Sequence, residues 1–204
     1  SECINQRDPE EKEVAMQSMD LVYSMSRYPL GLLARPIETQ AHLNVLLQVL
    51  LRKFLEPADH PDFPCLKPEI SSEMAFKALE LLQLITSDRW WERAWIFQEE
   101  YLSSVYMDLL IPHHPGLRKE RASKVVGSLP GELCVNSADF RRECTLFCLA
   151  YLRESGQEWK PGMEICETIL QKAPSYKVLN RYPRHEVDGN KMKAMSSTIF
   201  ADIG

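Results

Sequence analysis

The pattern of apolar and polar positions divides this chain into helices joined by a few short strands. Asp8-Pro9-Glu10-Glu11 opens the first predicted helix, with an acidic cap, a proline at the first helical position and glutamates in the first turn. A 3.6-residue period carries it to about Ser26, with Val14, Leu21, Val22 and Met25 expected inward. Tyr28 to Leu33 reads as a short strand weakened by Pro29 and Gly31. A helix from about Thr39 to Leu55 follows, then a loop over residues 56–68 holding four prolines. Ser71 or Ser72 starts the next helix, which runs to about Ile85. After a break at Thr86-Ser87-Asp88 comes a tryptophan-rich helix. Val105 to Ile111 is the best strand signal, stopped by Pro112. Helices are expected near 118–127, 137–155 and 162–172, before an irregular polar segment around 180–190.

Strands alternating with helices predict a helix-rich α/β fold around an incomplete parallel sheet. The division expected is an α/β portion over residues 1–112 and a helical extension with an irregular tail over 113–204. Open α/β sheets hold ligands beyond the carboxyl ends of their strands. Glu2-Cys3-Ile4 reads as a strand end, which would put Asn5, Gln6 and the Asp8 turn at that edge. The same residue types are ordinary turn and cap formers.

Composition narrows the classes. With 204 residues and 45% hydrophobic content, the chain can bury a sizeable core. Lysine and arginine total 24 against 29 acids, a net charge of -5, so nothing points to a nucleic-acid surface. No secretory leader is read at the amino end. The longest apolar run, Val45 to Leu51, is too short to span a bilayer. A cytoplasmic protein without a membrane segment is the expectation. The six cysteines lack the paired spacing of a zinc site and read as buried or free thiols, with no metal expected.

Candidate chemistry concentrates in Asp88-Arg89-Trp90-Trp91-Glu92-Arg93-Ala94-Trp95-Ile96-Phe97-Gln98-Glu99. Drawn as one helix, Trp90, Trp91, Trp95 and Leu102 fall on an apolar arc that includes Gln98, with Glu99 on its rim. Trp91 and Trp95 should be buried, and Gln98 buried and hydrogen-bonded. A carboxylate beside an indole is a candidate for a raised pKa. The residues alone read as a core helix with a solvated glutamate at its rim.

Arg93-x-Trp95-x-x-Gln98-Glu99 resembles a block of the fungal heterokaryon-incompatibility (HET) domain. Cys3-Ile4-Asn5-Gln6-Arg7-Asp8-Pro9-Glu10-Glu11-Lys12, followed by Met19 and Tyr23, resembles a second block of that family, and the two come in family order. The segment Met195 to Gly204 is similar to one that follows the domain in such proteins. Residues 113–190 carry no matching motif. The family's aromatic, glycine-rich element ahead of the first block is not in this chain, so the resemblance implies a portion lacking its N-terminal strand. It further implies a distant likeness to the TIR (flavodoxin-like) fold. Its functional implication is a cell-death or non-self-recognition effector acting through protein assembly, with partners from a cell-death pathway or further copies of the chain.

The alternative it implies is a TIR-like NAD glycohydrolase. Such enzymes carry a catalytic glutamate in a W-x-x-x-E pattern, which Trp95 and Glu99 match. A carboxylate suits cleavage of the nicotinamide–ribose bond, because it can stabilise oxocarbenium character. Trp95 or Trp91 could stack on a flat ring, and Arg93 could pair with a phosphate. No resident cofactor is expected; NAD would be substrate, and this portion of the chain is expected to be inactive. One geometric demand follows. In a helix starting at Asp88, Glu99 lies about 16 Å along the axis, too deep for the strand-end edge. Catalysis therefore requires a break or a late helix start near Arg93.

Overall fold

A computed structural model of the chain describes residues 8–57, 64–93, 96–103, 106–154 and 156–175. Helix α1, Pro9–Met25, starts where the cap signal placed it: the Asp8 carboxylate accepts the backbone N–H groups of Glu10 and Glu11 at 3.0 and 3.2 Å. Its facing differs from expectation. Val14 (64%), Leu21 (44%), Val22 (62%) and Met25 (71%) are exposed rather than inward. The opposite side of α1 carries Tyr23 and packs on α4, Ile96–Ser103.

Strand β1 is Leu30–Leu32, and α2 is Gln40–Leu50 behind a Thr39 cap. Helix α2 stops short of Leu55 because the chain turns at Arg52, whose φ of 54° is left-handed. Helix α3, Ser72–Thr86, is capped by Ser71 and buries Ala75, Ala78, Leu79, Leu81, Leu82 and Ile85. The expected single tryptophan-rich helix is two pieces: a 3-10 turn at Arg89–Glu92, extended backbone at Arg93, then α4.

Strand β2 is Asp108–Pro112. The predicted helix near 118–127 is only a 3-10 turn, Glu120–Ala122, and the one-turn α5, Ser123–Val126. Between α5 and α6 lies β3, Glu132–Asn136, a strand absent from the sequence reading. Helices α6, Ser137–Leu152, and α7, Lys160–Lys172, lie close to the expected ranges.

The sheet order is β1-β2-β3. Strands β1 and β2 are parallel, with Leu30 opposite Asp108, but β2 and β3 are antiparallel, with Asp108 opposite Asn136. The sheet is therefore mixed, not parallel. The connection from β2 to β3, residues 113–131, returns to the strand end where it left, the Gly131 carbonyl accepting the His113 N–H at 3.0 Å, and it holds only short turns and the one-turn α5 rather than a crossover helix. Leu109, Ile111, Leu133 and Val135 alternate onto one buried sheet face. They join Leu43 and Leu46 of α2, Leu79 and Leu82 of α3, Phe140 and Phe147 of α6, and Ile169 of α7 in one core. Residues beyond 112 thus supply a strand and two helices to the same core as residues 33–111. No described helix is long and apolar enough to cross a membrane.

Candidate functional site

Asp88 is the residue around which the tryptophan turn is built. It is only 2% exposed. Its Oδ1 accepts the Trp90 N–H at 2.9 Å, capping the 3-10 turn. Its Oδ2 accepts the N–H groups of Ala34 and Arg35 at 2.7 and 2.8 Å, just past the end of β1. Three backbone donors compensate the desolvation of one carboxylate. The loop after β1 and the start of the Trp turn are thereby fixed to each other.

Trp90 and Trp91 are both buried and meet edge to face at 4.8 Å between ring centres. The Trp91 indole N–H donates to the Ile85 carbonyl at 3.0 Å, and the Arg141 guanidinium lies 4.7 Å over its ring. Trp90 packs against Gly31 of β1. A Cβ there would fall 2.5 Å from the Trp90 ring, so the glycine is required by close approach rather than by its backbone angles. The burial expected for Trp91 is observed; Trp95 lies outside the described residues.

Past the break at Arg93, Glu99 occupies the first turn of α4 and is 3% exposed. It is a buried residue, not one on a solvated rim. Its Oε1 accepts the Tyr23 hydroxyl at 2.8 Å and also an Arg93 Nη2–H. The Arg93 side chain is half exposed, so one end of the ion pair stays in water. Burial, followed by the hydrogen bond to Glu99, pushes the Tyr23 phenol up to about 12. The phenol is therefore a fixed donor across the physiological range.

This network is where the two sequence blocks meet. Tyr23 comes from the first, Arg93 and Glu99 from the second. Tyr23 is the hydrogen-bond partner that reading the blocks separately did not assign to Glu99; its place in the first block was the available signal. Asp8 does not join them. It caps the other end of α1, roughly 22 Å from Tyr23 at 1.5 Å per residue. Asn5 and Gln6 lie outside the described residues, as does the side chain of Gln98, whose backbone is in α4.

A second arginine-held buried carboxylate shows what such an arrangement means by itself. Glu143 of α6 accepts Arg52 Nε at 2.6 Å and Arg142 Nε at 2.8 Å, and this contact raises the Arg52 pKa. No sequence block surrounds it. An arginine-held buried carboxylate is thus a recurrent structural device in this chain, here tying the turn after α2 to α6. At Glu99 the same device ties the break at Arg93 to α4, and the Tyr23 hydroxyl adds α1 to it.

Among known families, residues 1–99 match the one described as "Heterokaryon incompatibility protein (HET)". The matched segment begins with the first block and ends on Glu99. No curated protein and no solved structure matches the chain.

Proposed function

We propose that the heterokaryon-incompatibility domain this chain carries over residues 1–99 serves non-self recognition and cell death, and that it acts by assembling with other protein chains. The observation that carries this reading is the engagement of Glu99. Its Oε1 is bound to Tyr23 and Arg93 inside the fold, joining the family's two blocks into one structural unit. A carboxylate so occupied stabilises α1 on α4. Exposed faces are then left to do the recognising.

A TIR-like NAD glycohydrolase using Glu99 is the second reading. The feature favouring it is the break at Arg93, which puts Glu99 in the first turn of α4 rather than deep in a helix begun at Asp88. Under it, Glu99 would leave Tyr23 or Arg93 to face the ribose, and Arg93 would turn to a phosphate.

Expression of the chain and its Glu99→Gln and Tyr23→Phe forms at equal folded levels in filamentous fungal cells separates the two. Viability and cellular NAD are measured together. Assembly predicts killing with NAD unchanged, weakened in the variants only as far as folded protein is lost. A fall in NAD that Glu99→Gln abolishes while leaving the folded amount intact would overturn it in favour of the glycohydrolase.

A further inference from the structure

Helix α1 presents two faces of different character. Tyr23, pointing to α4, and Val14 are nine residues apart, which at 100° per residue puts them on opposite sides. Val14, Ser18 and Met25 follow the four-then-seven spacing of a coiled-coil seam, with Val22 flanking them. Val14, Val22 and Met25 are each more than 60% exposed, and Tyr28 just beyond the helix is 72% exposed. Ser18, at the middle, turns its hydroxyl back to the Val14 carbonyl at 2.8 Å, leaving a small, internally bonded residue in the stripe.

The charges of α1 are mostly acidic: Glu10, Glu11 and Glu13 lie at the amino end with Lys12 among them, Asp20 lies in the carboxyl half, and the next cation, Arg27, follows the carboxyl end, exposed and stacked 5.5 Å over Tyr28. A second α1 laid antiparallel, centred on Ser18, would set Val14 against Val22 and Arg27 against Glu10. It would also oppose the two helix dipoles favourably. A parallel pair would instead stack Arg27 on Arg27 and glutamates on glutamates. The apolar stripe fits either orientation, and the charges at its ends favour the antiparallel one, which is a two-fold arrangement.

We infer that the outer face of α1 is a homodimerisation surface, and that two copies of this chain pair through antiparallel α1 helices. This rests on the assembly reading above and names its partner, a second copy. The test is sedimentation equilibrium of the purified chain with Val22→Asp, Arg27→Glu, and Arg27→Glu combined with Glu10→Lys, circular dichroism verifying the fold of each. A reversible dimer is expected. Val22→Asp and Arg27→Glu should each raise the dissociation constant about tenfold or more, and the charge swap should recover most of the loss. A monomer at the highest soluble concentration overturns the inference, as does a dimer indifferent to Val22→Asp, or a charge swap that weakens pairing further. The result stands apart from the killing assay: a chain that dimerises but does not kill removes the cell-death reading and leaves this interface intact.

Discussion

Helices α1 and α3 are close in length, 17 and 15 residues, and each begins with a side-chain cap. Their fates are opposite. Helix α3 buries one face against α2, α6 and α7, with Ala78, Leu79 and Leu82 wholly excluded from water. Helix α1 leaves Val14, Val22 and Met25 in solvent and is held by its other side, where Tyr23 reaches Glu99. An apolar stripe at helical spacing therefore does not by itself say that the face is buried in the chain's own core. Helix α3 owes its position to area removed from water, which is non-directional and spread over many residues. Among the described side chains, helix α1 is tied to α4 by a buried polar network, which is directional and can be cut at a single atom.

The comparison is broken most severely at the tryptophan turn that closes the α3 side. Trp91→Ala removes the ring packed on Trp90, Phe140 and Arg141 and the indole bond to Ile85. It should cost about 3–5 kcal/mol, read as a shifted denaturant midpoint. An unchanged midpoint would mean that the turn is peripheral to the core. Next comes Gly31→Ala, whose new methyl must displace the Trp90 ring or Leu109. A loss of about 1–3 kcal/mol is expected from overpacking, and it should be relieved in part by Trp90→Phe.

On the α1 side the expected effects are local. Glu99→Gln deletes the charge that Arg93 pairs with while keeping an acceptor for Tyr23. Hydrogen exchange across residues 9–25 should quicken while exchange in α3 and α6 stays slow. Equal acceleration in both would show that the two regions unfold as one. Tyr23 offers a pH version of the same cut. Its pKa is raised in the fold, so its contribution is complete below the ordinary phenol value of about 10. That contribution is lost as pH climbs through about 12. An ultraviolet phenolate titration should show a late-ionising tyrosine that vanishes in Tyr23→Phe; a titration unchanged by that substitution would contradict the Tyr23–Glu99 bond. Smallest of all is Met25→Ser in the monomer, where an exposed side chain should change stability by about 0.5 kcal/mol or less.

How far the sequence could be read follows from the reach of each signal. The caps at Asp8, Thr39 and Ser71 act over two or three residues, and each opens its helix in the structure. Strand β2 was legible because a β-branched and leucine-rich run ends on a proline. Strand β3 was not, although Leu133 and Val135 alternate correctly after the Gly131 turn: five residues with a cysteine and two polar ends give little contrast. The break at Arg93 was legible only as a requirement of one hypothesis, since the composition of 88–99 suits one helix as well as two.

By itself, then, the sequence determined the starts of α1, α2 and α3, the helix-rich α/β class and two blocks similar to those of the heterokaryon-incompatibility family, because these depend on neighbours along the chain. Tertiary structure decided the rest. It reversed β3, joined residues beyond 112 to the core, turned the apolar stripe of α1 outward and buried Glu99 between Tyr23 and Arg93. Tyr23 and Glu99 are 76 residues apart. Asp88 meets Ala34 across 54. Contacts of that range are selected by competition among all surfaces for burial and all polar groups for partners, and no local pattern of residues encodes its outcome.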